Sequence, residues 1–236
     1  MIRELFHFRE TFATILADEP AHIAAAKAGI LTARQVLEAY IARDPFFAAT
    51  YEPYIPDSDE TVICRMARAG SRAGVGPMAA VAGTIGWAGL EAMMEAGAAF
   101  GVIDNGGDIA LFSDRPVRVG VHAGSAAISN KVAFIVPPQK TVLGICTSSA
   151  TVGPSVSFGI ADAVTVFSRD VSLADAWATS VCNQIRPTDN SVLESVDPAE
   201  VAGIFAVMGE TVVRWGELPQ LVDAVVDEGL ISAGVR

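Results

Sequence analysis

The stretch that decides the fold is Val102-Ile103-Asp104-Asn105-Gly106-Gly107-Asp108-Ile109. Apolar residues lead into an Asn-Gly-Gly-Asp turn and resume directly after it. Asn-Gly is among the strongest hairpin signals, because both residues accept a positive φ. The stretch therefore predicts a hairpin that joins strands at 101–104 and 108–112.

The same turn is a candidate site for an anion or a ribose. No Cβ blocks the approach of a ligand to the backbone amides at Gly106 and Gly107, so these amides can face a phosphate. The side chains of Asn105 and Asp108 flank them. A hairpin needs no ligand, but the two interpretations are compatible, and both stay open.

Outward from this hairpin, the sequence alternates between strand and helix patterns. Further strands are predicted at 2–17 (one or two), 117–122, 131–136, 141–146, 163–168 and 211–215. Helices are predicted at 21–43 with a break near Gly29 and an N-cap at Thr32, and at 60–72, 76–100, 172–184, 198–208 and 217–229. The strands from 101 to 146 suggest an antiparallel meander. We expect one α+β domain over residues 1–236, with mainly antiparallel sheet covered by helices.

Composition narrows the class of protein. The chain is 51% hydrophobic and 18% charged, which predicts a substantial core. A net charge of −11 with scattered Lys and Arg argues against nucleic acid and membrane surfaces as partners. The uncharged stretches 73–90 and 141–161 are rich in Gly or in Ser and Thr, so we expect buried protein there. Three widely spaced cysteines and a charged N-terminal segment indicate a reduced, cytoplasmic protein with buried thiols.

The helix at 172–184 carries a second candidate site. Asp175 and Thr179 are four residues apart, which places a carboxylate and a hydroxyl on one face, as Mg²⁺ or Ca²⁺ requires. Each has a structural alternative: Ser172 with Asp175 fits a capping box, and Thr179 can bond back to a carbonyl. Together with the Gly-rich turn, the pair suggests a site for a metal-bound diphosphate or nucleotide.

Two further segments belong to this hypothesis. Thr147-Ser148-Ser149 follows a strand and offers hydroxyl donors to a phosphate or ribityl chain, or is an ordinary loop. Gly83, Gly86 and Gly89 recur every third residue in a predicted helix, which costs about 1 kcal/mol each relative to Ala. Such a cost indicates close approach by another element or by a ligand. The three histidines are far apart and are interpreted as structural.

These motifs occur in one order that resembles the ApbE-like proteins, which include Mg²⁺-dependent flavin transferases that cleave FAD and attach FMN to a Thr of another protein. The family's N-x-G-G-[DE] turn, T-S-G loop and A-D-A-L-A-T helix correspond to Asn105–Asp108, Thr147–Ser149 and Ala174–Thr179. The chain looks like a compact branch of that superfamily. The resemblance covers roughly residues 76–185.

The resemblance implies roles for particular residues. Asp175, the candidate catalytic residue, and Thr179 would supply oxygens to Mg²⁺, and the backbone carbonyl of Ala82 would be a third ligand. Asn105, Gly106, Gly107 and Asp108, with Thr147, Ser148 and Ser149, would lie along a bound FAD or FMN.

The chain departs from the family at two positions. The family's A-K-G-Y segment is Ala82-Gly83-Thr84-Ile85 here, without the Lys, and its His-containing H-I-[IL]-D-P-x-T-G segment is shortened to residues 157–162. The leading hypothesis is a Mg²⁺-dependent enzyme acting on a flavin or related nucleotide diphosphate, with an unidentified protein acceptor. The alternative is a non-catalytic flavin-binding, nucleotide-binding or assembly protein. The small, apolar composition is also consistent with a homodimer.

Overall fold

The computed structural model describes residues 1–152 and 158–226. The strands are β1 (Ile2–Phe8), β2 (Thr11–Ala17), β3 (Phe100–Asn105), β4 (Asp108–Ser113), β5 (Val117–Gly120), β6 (Val132–Val136), β7 (Gln139–Ser148), β8 (Ala163–Ser168), β9 (Gly203–Met208), β10 (Thr211–Gly216) and β11 (Gln220–Asp223). The α-helices are α1 (Pro20–Arg43), α2 (Phe46–Ala49), α3 (Thr61–Ala73), α4 (Val81–Glu95) and α5 (Val171–Gln184). Short 3₁₀ helices span Pro77–Ala80 and Ser191–Ser195.

The strands form two sheets. The larger has eight antiparallel strands in the order β1-β2-β3-β4-β7-β8-β9-β10, and the smaller has three in the order β11-β6-β5. The predicted meander is therefore interrupted, because β5 and β6 leave for the smaller sheet and β7 returns to pair with β4. The α+β class and the antiparallel sheets are as the sequence predicted.

The larger sheet is covered on both faces. Val164 and Val166 of β8 belong to the core under the helices, whereas Ala163 and Phe167 belong to the core under the smaller sheet. Successive residues of a strand point to opposite faces, so a strand buried on both sides is apolar throughout. The helices thus lie on one face of this sheet and the smaller sheet on the other.

The C-terminal prediction was wrong at two elements. Residues 203–208 form strand β9, not part of a helix, and 220–223 form β11; residues 227–229 of the second predicted helix lie outside the described residues. All six residues of β9 are buried. A short apolar run cannot be assigned to helix or strand by periodicity alone, which explains the error.

Three local predictions were also wrong. Helix α1 runs through Gly29 without a break, and Thr32 lies inside it. An ideal Cβ on Gly29 would lie 2.7 Å from the Ala88 carbonyl oxygen, so the glycine serves the contact with α4. The helix predicted to reach Phe100 ends at Glu95. Cys64 is exposed, whereas Cys146 and Cys182 are buried as expected.

The prediction that both uncharged stretches are buried holds only in part, because Phe158 and Ile160 are exposed and residues 153–157 lie outside the described residues. Residues 77–90 form the 3₁₀ turn and most of α4, and 141–148 lie in β7. Across the described part of the chain, no single helix is long and apolar enough to cross a membrane, although α3 and the segment Pro77–Glu95, bent by 107°, pass that test of length and composition as a pair.

The glycines of α4 have different surroundings. An ideal Cβ on Gly89 would lie 2.7 Å from Cγ1 of Ile30 and 2.8 Å from Cδ1 of Ile103, whereas one on Gly86 would lie no closer than 3.6 Å to its nearest neighbour. Close approach, predicted from the glycine repeat, therefore holds at Gly89 but not at Gly86.

This difference makes a stability test. Gly86→Ala should leave the free energy of unfolding unchanged or raise it by up to about 1 kcal/mol, because Ala is the better helix former. Gly89→Ala should lower it by roughly 1–3 kcal/mol through overpacking. Urea unfolding of both variants measures the contrast. Equal effects at the two positions would contradict the packing described.

Candidate functional site

Helix α5 presents Asp175 to the interior because another residue caps the helix. The carboxylate of Asp170 is the N-cap and accepts from the backbone N–H of Leu173 at 2.9 Å. The predicted capping box of Ser172 and Asp175 is therefore wrong. Ser172 is buried, and its hydroxyl accepts from the Thr84 hydroxyl at 2.7 Å. Asp175 is free for another role.

That role begins at the first turn of α4. The backbone N–H of Gly83 donates to Oδ2 of Asp175 at 2.8 Å, and a carboxylate at a helix N-terminus is favoured by the unpaired amides there. An ideal Cβ on Gly83 would lie 3.0 Å from both the Asp175 Cβ and the Val171 carbonyl oxygen. A side chain at this position would press on both atoms, so the glycine lets Asp175 approach α4 closely, as the glycine repeat suggested.

The hairpin residues complete a cluster around Asp175. Nδ2 of Asn105 donates to the carbonyl oxygen of Ala82 at 3.0 Å, across the contact between β3 and α4. Asp108 pairs with Asn105 across the hairpin, and its Oδ1 accepts from the Thr147 N–H at 3.2 Å. We call Ala82, Asn105, Asp108 and Asp175 the carboxylate cluster.

Burial raises the pKa values of both acids, and repulsion by neighbouring carboxylates raises that of Asp108 further. Burial raises the pKa of Asp175 from its ordinary 3.8 to about 7, against the opposing effect of the Gly83 and Ala82 amides. Burial, and then the charges of Asp175 and Asp104, raise the pKa of Asp108 well above its ordinary range. The nearby Cys146 thiol has a raised pKa for the same reasons, burial first and the Asp108 charge second.

The cluster offers oxygen donors and little positive charge. Among the ion pairs of the described residues, none involves Asp108 or Asp175. The described residues contain no group of three or more His, Cys, Asp or Glu that could hold a metal. Two carboxylates, the Ala82 carbonyl and the half-buried Thr179, one turn beyond Asp175, are nevertheless the hard oxygen donors that Mg²⁺ prefers.

A cavity of about 410 Å³ lies on the other face of the larger sheet. Its floor is formed by apolar side chains of four strands, and β5 with the residues after it forms a wall. The floor side chains include Leu16, Val102, Ile109 and Ile145. Arg3, Arg118 and His122 also line it, as does Asp104. The cavity is thus mostly apolar, with two arginines and one carboxylate among its lining residues.

The predicted ligand-binding residues divide between these two features. Gly106, Gly107, Thr147 and Ser149 line the cavity. Asn105, Asp108, Asp175 and Ala82 form the carboxylate cluster. Ser148 is half-buried at the end of β7 and lines neither. Residues that line the cavity and residues of the cluster are therefore neighbours at the β3–β4 turn and at the end of β7.

The turn has the conformation of a hairpin and also uses one of its amides. Gly106 and Gly107 both have positive φ, 73° and 104°, and they form the two-residue loop between the paired Asn105 and Asp108. The Gly107 N–H donates to Oδ1 of Asp104 at 2.9 Å. Of the two amides predicted to face a phosphate, Gly107's is therefore engaged by a side chain, and Gly106 is the exposed residue of the turn.

The loop after β7 is organised by its own hydroxyls. Thr147 and Thr165 share a hydrogen bond between their hydroxyls at 2.9 Å, next to the cavity. The Ser149 hydroxyl accepts from the N–H groups of Thr151 and Val152 at 3.1 and 2.8 Å. Asp162 anchors the same loop by accepting from the Thr151 hydroxyl and from the Gly209 N–H.

Sequence reasoning missed the cavity and two neighbours of the cluster, Asp104 and Cys146. Asp104 lines the cavity, one residue before the cluster begins in β3. The alternation of β3 could have identified Asp104, because residues two apart in a strand share a face and Val102 also lines the cavity. The cavity required knowledge that β5 and β6 form a separate sheet.

Comparison with known proteins assigns the family. A family model described as AbpE bacteria matches residues 6–214. The chain belongs to this family. Its relatives include a UPF0280 protein of Methanoregula boonei, 68% identical over 237 residues and covering 100% of both chains. A UPF0280 protein of Methanosphaerula palustris is 61% identical over 234 residues, 99% of each chain.

Solved structures with the ApbE fold are similar at low sequence identity. The apo flavinyl transferase ApbE of Pseudomonas stutzeri superposes with a TM-score of 0.56 at 13% identity, covering 99% of this chain and 98% of that one. The flavin transferase ApbE of Vibrio cholerae gives 0.56 at 12% identity, with 91% and 96% covered. The protein therefore has an ApbE-like fold.

The raised pKa of Asp175 gives a pH test of the carboxylate cluster. Between about pH 4 and 7 the folded protein holds this proton more tightly than the unfolded chain does. The free energy of unfolding of the metal-free protein should therefore fall as the pH rises through that window, by at most about 1.4 kcal/mol per pH unit for this group. Urea unfolding in EDTA at a series of pH values measures the slope.

Asp175→Asn removes the titration, and its amide oxygen can still accept from Gly83. This variant should have a flatter profile and, at pH 8, a higher free energy of unfolding than the wild type. Asp114→Asn, at an exposed carboxylate, is the matched control and should retain the wild-type slope between pH 4 and 7. A wild-type slope in Asp175→Asn would be evidence against an uncompensated buried acid.

Proposed function

We propose that the protein is a magnesium-dependent enzyme that acts on a flavin or a related nucleotide diphosphate, by FAD cleavage or by chemistry like FMN transfer. The observation that carries this proposal is that the buried Asp175 and the half-buried Asp108 are close enough for their charges to interact, with no ion pair to either among the described residues. Such a pair is stabilised by a bound divalent cation far better than by water alone.

The donor set fits Mg²⁺. Asp175 and Asp108 would supply carboxylate oxygens, the Ala82 carbonyl a neutral oxygen, and Thr179 a hydroxyl. When bound, the metal would neutralise charge that develops on a diphosphate during its cleavage. Asn105 holds the Ala82 carbonyl in place, and the Gly83 amide orients the Asp175 carboxylate.

The cavity supports the flavin part of the proposal. Its apolar floor suits a planar ring. At one end of the cavity, Gly106 and Gly107 lie between two residues of the carboxylate cluster, and the Thr147 N–H donates to one of these two, Asp108. A ligand with an apolar ring and a diphosphate would thus have its two chemical parts matched by the two features. The flavin transferases with the same fold are named for action on flavins, which agrees with this arrangement.

The direct test is incubation of the purified protein with FAD and Mg²⁺, followed by chromatography for FMN and AMP. In the hydrolytic form of the reaction, water breaks the diphosphate bond and FAD yields one FMN and one AMP. We expect product that disappears with EDTA and falls by about 100-fold or more in Asp175→Asn.

Asp189→Asn is the matched control, because Asp189 is an exposed carboxylate in the loop after α5. It should keep the wild-type rate. Product that persists in EDTA or in Asp175→Asn would contradict a role for the cluster in the reaction.

A specific observation favours the non-catalytic alternative. The titratable neighbours that perturb Asp108 are Asp175 and Asp104, and its hydrogen bonds come from the Thr147 amide and Cys146, so no His or Lys serves as an acid–base partner among them. Under this alternative, FAD would bind and be recovered intact after prolonged incubation with Mg²⁺.

Ligand location has its own test. Ile109→Trp should fill the cavity and weaken FAD or FMN binding by about tenfold or more, since it removes the space for an apolar ring. Fluorescence titration measures the affinity, and thermal denaturation with Mg²⁺ checks that the cluster still responds to metal. Ile55→Trp, at a fully exposed position, should bind like the wild type. Unchanged binding in Ile109→Trp would exclude the cavity as the flavin site.

A further inference from the structure

His122, expected from the sequence to be structural, lines the cavity from the segment between β5 and β6. It is half-buried, and its Nδ1 lies 3.0 Å from Oδ1 of Asn130. A carboxamide oxygen can only accept, so the proton of the neutral imidazole is on Nδ1 and Nε2 carries a lone pair. No further hydrogen bond or ion pair joins His122 to residues 1–152 or 158–226. Nε2 is therefore the nitrogen left for a ligand of the cavity.

The backbone holds His122 in a closed loop. The Asn130 N–H donates to the Val121 carbonyl oxygen at 2.9 Å, which joins the two ends of the loop. Inside it, the Ser129 hydroxyl accepts from the Ala123 N–H at 2.9 Å. Hydrogen bonds thus fix the residues on both sides of His122. A side chain that takes part in chemistry needs this kind of support.

The same loop packs against the segment that joins the cavity to the carboxylate cluster. An ideal Cβ on Gly124 would lie 3.1 Å from Cγ2 of Val152, in the loop after β7. Thr147, at the end of β7, lines the cavity, and its N–H donates to Asp108 of the cluster. His122 is therefore two residues from a contact with the chain segment that reaches the cluster.

The carboxylate cluster needs a group that can take up a proton. Among the titratable neighbours that perturb Asp108 there is no His or Lys. A general base works best when its charge changes near the working pH, as imidazole does near neutrality. The charged residues that line the cavity with His122 are Arg3 of β1, Asp104 of β3 and Arg118 of β5. Arginine cannot take up a proton, and Asp104 already accepts from the Gly107 N–H. His122 is the lining residue that fits the role.

We propose that His122 is the general base of the FAD cleavage proposed above, on which this inference rests. Nε2 takes a proton from the water whose oxygen attacks the phosphorus of the FMN half. As the new phosphorus–oxygen bond forms, the bond from that phosphorus to the bridging oxygen breaks, and AMP leaves with the bridging oxygen and its electron pair. His122 then releases the proton to solvent. Asn130 is a positioning residue, because it holds the other proton of the ring on Nδ1.

Steady-state FAD cleavage with Mg²⁺ separates this role from binding. His122→Gln keeps a hydrogen-bonding amide near the position of Nε2 but cannot take up a proton. Its kcat should fall by about 100-fold, while KM changes by less than about threefold. His7→Gln, at an exposed histidine of β1, is the matched control and should keep the wild-type rate. Full activity in His122→Gln would overturn the base role and leave the proposed function standing.

The hydrogen bond from Nδ1 has variants of its own. Asn130→Asp keeps an acceptor and adds a negative charge, which favours the protonated imidazole. The acid side of the pH profile of kcat should therefore move to higher pH, by about one unit. Asn130→Gly removes the acceptor at a position whose φ of 59° suits glycine, and it should lower kcat. An unmoved profile in Asn130→Asp would contradict the role of His122.

A signal that does not need turnover distinguishes failure of the base role from failure of the proposed function. In ¹⁵N spectra of the three histidines, assigned with His122→Gln, His122 should carry its proton on Nδ1, and added FMN should shift the Nε2 resonance. A proton on Nε2, or an Nε2 resonance that FMN leaves unmoved, would overturn the base role even if FAD is cleaved. The expected signals in a wild type that leaves FAD intact would instead contradict the proposed function, and the base role with it.

Discussion

The hydrogen bond from the Gly83 amide to the Asp175 carboxylate is the contact around which the candidate site is arranged. Around it lie the glycine at the start of α4, the Asp170 cap of α5, and the Ala82 carbonyl to which Asn105 donates from the sheet. Two helices and a hairpin thus meet at one buried carboxylate. Water cannot solvate this carboxylate fully, so burial raises its pKa towards neutrality. The rest of the molecule must stabilise an arrangement that costs free energy when no cation is bound.

The surrounding packing supplies that stabilisation. Salt bridges from three arginines of α3 reach Glu91 in α4, Asp170 at the start of α5, and Asp197 and Glu200 before β9. Arg65 also stacks over Trp87, 3.8 Å from the ring centre. Exposed ion pairs contribute little individually. Here their value is positional, since they fix α4 and α5 against α3 on the side away from the sheet, and so hold Gly83 and Asp175 in register.

The sequence contained much of the fold and part of the site. Hairpin β3–β4, strand β8 and helix α5 followed from local patterns, because turn chemistry and periodicity are local properties. Asp175 and the Asn105–Asp108 turn were chosen as candidates for the same reason, and their proximity was suggested by the family resemblance. Strand β9 was mistaken for helix because it is apolar on both faces. The cavity could not be found, because it depends on the departure of β5 and β6 to another sheet, which no residue of β4 or β7 encodes locally.

The placement of β5 and β6 between two neighbouring strands of the larger sheet has an evolutionary consequence. β4 and β7 carry Asp108 and Thr147, whereas one wall of the cavity comes from the segment inserted between them. Substitutions within that insertion reshape the pocket without touching the carboxylates. Lineages that share the acidic pair are therefore free to diverge in the molecule they accommodate, and the insertion is the part of the gene where such divergence should be concentrated.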